Sequence, residues 1–151
     1  MEKGDVVPDF ELPDETGKLR RLSGFLASGP VVLFTFPVAM SKGCTVESCY
    51  FRDLASEFQA VGASRIGLSG DSIDRQAAFS SLHDFDYPLL SDRSGEITKM
   101  LGVRRGLTRV PVKRWTFVIA PNATVLEVIK SEVSMHRHAD RALEVLRDSA
   151  E

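Results

Sequence analysis

The stretch Phe34–Phe51, FTFPVAMSKGCTVESCYF, constrains this chain more than any other. The apolar run Val31-Val32-Leu33-Phe34 leads into it from Gly29-Pro30 and reads as a buried strand. Beyond it, Phe51, Leu54, Phe58 and Val61 recur on one helical face until Gly62, which predicts a helix over about 44–61. The segment is therefore a strand, a tight turn and a helix. It also holds Cys44 and Cys49, the only cysteines among 151 residues. Cys44 falls where the turn becomes the first helical turn.

That position suits an anion. The N–H groups at a helix start have no partner within the helix and carry partial positive charge. A thiolate, the nucleophilic form of cysteine, is stabilised there. Ser41 supplies a hydroxyl that donates one hydrogen bond and accepts another. Gly43 leaves the turn bare, so backbone amides can approach a bound oxygen. Pro37 lacks an N–H and stiffens the exit from the strand, which shields the thiol from water. Cys49 follows five residues after Cys44. On an intact helix that spacing turns the side chains about 140° apart and sets the Cα atoms roughly 8–9 Å apart. A disulfide needs Cα atoms within about 7 Å, so this pair joins only after local unwinding. Such a bond behaves as a catalytic disulfide rather than a staple. The plainer readings are a buried inert thiol at Cys44 and an ordinary half-buried helical cysteine at Cys49.

The pattern Pro37-x-x-x-Ser41-x-x-Cys44 resembles the active-site motif of peroxiredoxins, with Ser where Thr is usual. The continuation Gly43-Cys44-Thr45-x-Glu47-x-Cys49-x-Phe51-Arg52-Asp53 resembles the peroxiredoxin Q branch, also called bacterioferritin comigratory proteins. Gly4-Asp5-x-x-Pro8-Asp9-Phe10-x-Leu12, Pro88-Leu89-Leu90-Ser91-Asp92 and Arg114-x-Thr116-Phe117 extend the likeness over nearly the whole chain. The resemblance implies a thioredoxin-like α/β fold, a mixed sheet flanked by helices, with an N-terminal β-hairpin extension. It implies a thiol-dependent peroxidase in which Cys44 attacks hydrogen peroxide or an organic hydroperoxide and becomes a sulfenic acid. Cys49 then resolves it as an intrachain disulfide, and a thioredoxin-type dithiol restores both thiols. No metal, haem or flavin enters this scheme.

Arg114 alone reads as a surface residue at the head of a strand. The resemblance instead brings it to the reactive thiol, where a guanidinium favours the thiolate and donates to both peroxide oxygens. Glu47 either orients that arginine through a bidentate pair or is a solvated helix residue. Both readings stand on the sequence. The basic cluster Arg104, Arg105, Arg109, Lys113 and Arg114 lacks interleaved aromatics and reads as a solvated loop rather than a nucleic-acid patch. His136-x-His138 has no zinc-like partners and reads as surface. Met100, Met135 and the scattered phenylalanines read as packing.

Composition bounds the rest. A chain of this length with 43% hydrophobic and 26% charged residues is expected to form one globular domain over 1–151. A net charge of −2 gives no attraction to nucleic acid or to an anionic membrane. No apolar run reaches spanning length and MEKGDVVPDF is not a signal peptide, so the expected location is the cytoplasm. An intrachain disulfide makes no demand for a second subunit, and a monomer is expected.

The remaining elements follow from local pattern. Residues 9–23, with turn signals at Pro13-Asp14 and Thr16-Gly17, predict a small hairpin, and Leu22–Leu26 a short helical turn. Arg65–Ser69 is the next strand. Asp71 or Ser72 caps a helix to about His83 with Ala77, Ala78 and Leu82 inward. Tyr87–Asp92 is extended, Gly95–Leu101 a short helix, and Arg114–Ala120 and Val125–Ile129 a hairpin across Pro121–Thr124. Ala139–Arg147 closes the chain as a helix with Leu143, Val145 and Leu146 available to pack. Two rival functions use the same scaffold. A thiol–disulfide oxidoreductase normally carries C-x-x-C, which is absent. A non-enzymatic redox-sensing or chaperone scaffold has no need of the Pro37, Ser41, Cys44 and Arg114 set.

Overall fold

The computed structural model describes residues 1–106 and 111–149. Its centre is a five-stranded sheet of β3 (Val31–Thr35), β4 (Ser64–Ser69), β5 (Leu89–Ser91), β6 (Trp115–Ile119) and β7 (Val125–Lys130). A separate antiparallel pair, β1 (Glu11–Pro13) and β2 (Leu19–Arg21), is the expected N-terminal hairpin. In space the central order is β5-β4-β3-β6-β7. β3, β4 and β5 run parallel, whereas β6 pairs antiparallel with both β3 and β7. The sheet is thus mixed, with its most buried strand, β3, in the middle.

Strand alternation divides the core in two. Val32 and Phe34 of β3 point to one face, where they meet Phe51, Phe58, Phe79, Ala139 and Leu143. Val31 and Leu33 point to the other, among Phe10, Leu22, Ile66, Leu101 and Phe117. The first face is covered by α2 (Lys42–Asp53), α3 (Ala55–Ala60), α4 (Ile73–His83) and α6 (Met135–Ser149). α1 (Leu22–Leu26) and the segment around α5 (Glu96–Met100) cover the second. Fully buried strands with both faces covered are what a continuous apolar run such as VVLF requires.

Three expectations need correcting. The helix expected over 44–61 is two helices, because Arg65 Nη1 donates to the Phe51 carbonyl at 2.7 Å. An unbroken helix gives that carbonyl to the N–H of residue 55. The first helix also begins earlier, at Lys42. In α4 the inward residues are Gln76 and Phe79, while Leu82 is 68% exposed and Ala78 also faces solvent. Gln76 is drawn in by hydrogen bonds to Ser69 Oγ and the Leu90 carbonyl, which hydrophobic periodicity cannot register. Finally, α6 starts at Met135 rather than Ala139.

Candidate active site

Ser41 is the N-cap of α2. Its Oγ accepts the Cys44 N–H at 3.4 Å, which leaves the hydroxyl hydrogen free to donate. Cys44 lies in the first helical turn and is fully buried. The loop before it is held in a costly shape, for Met40 has φ +69°. Its neighbour Ala39 is gripped at both backbone polar groups. Asp71 Oδ2 accepts the Ala39 N–H at 2.8 Å, and Arg75 Nη2 donates to the Ala39 carbonyl at 3.0 Å. Arg75 Nε also donates to Asp71 Oδ1, at 3.1 Å. Such restraint holds a loop in a conformation it would otherwise leave. Pro37 stands half-buried at the head of this loop. Ser72, not Asp71, caps α4, which frees Asp71 for the grip.

Arg114 reaches the same point from the start of β6. Its N–H donates to Glu132 Oε1 at 3.0 Å. Buried Thr35 of β3 donates to the Lys113 carbonyl at 2.8 Å and accepts the Trp115 N–H at 3.3 Å, fixing the chain on either side. The side chain is buried rather than at the surface. Nη2 donates to Cys44 Sγ at 3.3 Å, and Nη1 donates to Glu47 Oε1 at 3.1 Å. Glu47 is fully buried, so the solvated reading does not hold. The pair uses one oxygen rather than two. Glu47 Oε2 and Arg114 Nε have no hydrogen-bond partner among the described residues. Gly43 has a use beyond the one expected: a Cβ there would stand 3.1 Å from Arg114 Nη2 and 3.5 Å from Met135 Sδ. A bare position 43 leaves room for the guanidinium.

Burial shapes the charges. It pushes Glu47 up from 4.5 to about 8, and Arg114 only partly opposes this. Burial works against the Arg114 charge as well, but Glu47 and Cys44 more than offset it. His138, expected at the surface, lies buried behind Glu47. Its Nε2 donates to the Ser131 carbonyl at 2.7 Å, and its Nδ1 accepts from Thr116 Oγ1 at 2.7 Å. The carbonyl can only accept, which assigns the ring proton to Nε2. Glu47 Oε2 lies 3.4 Å from that nitrogen. Burial lowers His138 from 6.5 to about 4, so the ring is neutral at pH 7. His136 is exposed and stacks on Tyr50 at 4.0 Å.

The structure thus brings Ser41, Gly43, Cys44, Glu47 and Arg114 together. Cys49 stands apart from them on the same helix, which is unbroken between the two cysteines, and both thiols are free. Burial raises Cys49, which disfavours its thiolate while the helix is intact. Sequence reasoning missed Thr35, Asp71, Glu132 and His138. Only His138 left a signal: it lies four and eight residues before the inward-facing Ala142 and Leu146, on the same helical face. The basic cluster is not uniformly solvated either, since Arg114 is buried and Arg105 pairs with Glu132 at 2.9 Å. Arg109 lies outside the described residues. A cleft of about 530 Å³ lined by Lys18, Arg20, Phe25, Arg65 and Tyr87, among others, shares no residue with this site. Two of its arginines are committed to carboxylates, Arg20 to Asp14 at 3.1 Å and Arg65 to Asp86 at 2.7 Å.

Comparison with known proteins bears on what this geometry is for. Residues 3–128 match the model of the AhpC/TSA family. A peroxiredoxin of Mycobacterium tuberculosis is 57% identical over 149 residues, covering 97% of each chain. A chloroplastic peroxiredoxin Q of Gentiana triflora is 34% identical over 149 residues, covering 99% of this chain and 68% of its own. The crystal structure of the peroxidoxin BcpB from M. tuberculosis superposes with a TM-score of 0.95 at 57% identity, covering 98% of this chain and 97% of that one. The chain belongs to the AhpC/TSA family, in its peroxiredoxin Q and bacterioferritin comigratory branch, and is a thiol-dependent peroxidase.

Proposed function

We propose that Cys44 is the peroxide-reducing nucleophile and that Cys49 resolves its oxidised form within the same chain. The observation that carries this reading is the 3.3 Å hydrogen bond from buried Arg114 Nη2 to Cys44 Sγ, at the N-terminal turn of a helix. A fixed cation and a helix start both favour the thiolate. The thiolate attacks the nearer oxygen of the hydroperoxide, the O–O bond breaks, and a sulfenic acid and an alkoxide or hydroxide form. The Ser41 hydroxyl, the Gly43 and Cys44 amides and Arg114 hold the two oxygens in line and stabilise charge on the leaving one. Pro37 shields the sulfenic acid. Hydrogen peroxide and organic hydroperoxides are the substrates.

The first turns of α2 then unwind. Cys49 leaves its half-buried site, loses its proton more readily in water, and attacks Cys44 sulfur, expelling water and forming the disulfide. A thioredoxin-type dithiol reduces that bond by two exchanges and is itself oxidised. One chain holds both cysteines, so a single-domain monomer suffices. The two free thiols suit the reducing cytoplasm. No helix among the described residues is long and apolar enough to cross a membrane.

Steady-state peroxide consumption with thioredoxin as electron donor tests the assignment. Cys44→Ser is expected to abolish turnover. Cys49→Ser is expected to keep the first oxidation and lose recycling. Normal turnover by either variant contradicts the corresponding role.

A further inference from the structure

Among the described residues, the pocket beside Cys44 holds two acids and one cation. Arg114 gives one nitrogen to Cys44 Sγ and another to Glu47 Oε1. Cys44 and Glu47 are both fully buried, so neither is screened by water. Among the described residues, the other groups facing Glu47 supply no second positive charge. His138 on α6 is held neutral between Thr116 and the Ser131 carbonyl. Glu132, between β7 and α6, brings negative charge nearby, and Tyr87 donates its hydroxyl to the Ser48 carbonyl. Glu47 Oε2 has no hydrogen bond among the described residues. A thiolate and a carboxylate together therefore exceed what one guanidinium can balance.

Resting on the peroxidase reading above, we propose that Glu47 is the internal proton source of the peroxide step. In the reduced enzyme the single negative charge beside Arg114 sits on Cys44, and Glu47 is a neutral acid. Oxidation turns the thiolate into a neutral sulfenic acid and frees the guanidinium, and Glu47 ionises in its place. The balance is Cys44–S⁻ + Glu47–COOH + ROOH → Cys44–SOH + Glu47–COO⁻ + ROH. The O–O bond breaks, an S–O bond forms, and the proton that completes the alcohol or water is matched by the one Glu47 gives up. The pocket keeps one negative charge throughout, which spares a buried site the cost of losing or gaining one. The elevation of Glu47 to about 8 is in accord with a neutral acid at pH 7 in the reduced state.

The test uses the Cys49→Ser protein, in which oxidation stops at the sulfenic acid. Reduced protein in weak buffer near pH 7 is mixed with substoichiometric hydrogen peroxide, and a pH indicator follows proton uptake. Mass spectrometry after trapping counts sulfenic acid. With Glu47 present, uptake is expected to be close to zero per sulfenic acid. With Glu47→Gln added, which mimics the neutral acid, it is expected to approach one. Equal uptake in the two proteins overturns the proposal, whatever the rates. Infrared difference spectra of Cys49→Ser alone provide a check that needs no second variant. The carboxylic-acid C=O band is expected to vanish on oxidation, and an unchanged spectrum in that region also overturns the proposal. Absence of any sulfenic acid would instead count against Cys44 as the nucleophile.

Discussion

Arg114 contacts Cys44 and Glu47 with two nitrogens of one rigid plane, and a lysine in its place has a single ammonium on a flexible stem. Arg114→Lys preserves the charge but cannot hold both partners in this geometry. We expect its second-order rate constant with hydrogen peroxide to fall about 10²-fold, the usual effect of losing one fixed donor at a reacting oxygen. Competition kinetics against a reference peroxidase measures this. A rate within about threefold of the parent would mean that charge alone, not the fork, is what the site uses. The sequence carried the identity of this residue only through the Arg-Trp-Thr-Phe pattern. Nothing in its charge or spacing indicated burial, because the groups that bury it, Thr35, Glu132 and Glu47, come from three distant segments.

At the scale of elements, the proposed mechanism requires α2 to be stable enough to present Cys44 and weak enough to release Cys49. Tyr87 bears on that balance, since its buried hydroxyl donates to the Ser48 carbonyl at 2.7 Å, in the middle of the helix. Losing one such bond costs about 1 kcal/mol, which shifts a local opening equilibrium by about fivefold. Tyr87→Phe is therefore expected to speed disulfide formation from the sulfenic acid by up to about fivefold while leaving the first oxidation unchanged. Stopped-flow fluorescence of Trp115, which adjoins Arg114, resolves the two steps. Equal disulfide rates would place the opening N-terminal to Ser48. Local pattern gave away most elements here, because the unbroken apolar run of β3 and the spacing of Phe51 and Phe58 are strong. It failed at the break after Asp53, which depends on the Arg65 side chain reaching the Phe51 carbonyl. It failed again in α4, where a glutamine faces inward to satisfy polar groups.

For the whole molecule, the buried acid and the buried imidazole tilt stability in opposite directions with pH. Glu47 is raised on folding, so its contribution is fully present below 4.5 and is lost as pH climbs to about 8. His138 is lowered, so its contribution is present above 6.5 and is lost as pH falls towards about 4. Denaturant melts of the reduced protein across pH 5–8 are expected to show Glu47→Gln with a flatter alkaline decline than the parent. Parallel pH profiles would show that Glu47 is ionised throughout that range. The architecture was legible at this scale because the Pro37–Cys44 motif and the later Pro88–Asp92 and Arg114–Phe117 segments occur in family order. The polar layer of Thr116, His138 and Ser131 was not, because each is an unremarkable residue until the fold stacks them.

On the proposed mechanism, one peroxide consumes Cys44 and Cys49 together within a single chain. Fully reduced protein mixed with substoichiometric hydrogen peroxide, quenched rapidly and assayed for thiols, addresses it most directly. Two thiols are expected to disappear per peroxide, far faster than free cysteine reacts, with no crosslink between chains. Loss of one thiol would remove Cys49 as the resolving residue, and loss no faster than free cysteine would contradict the role of Cys44.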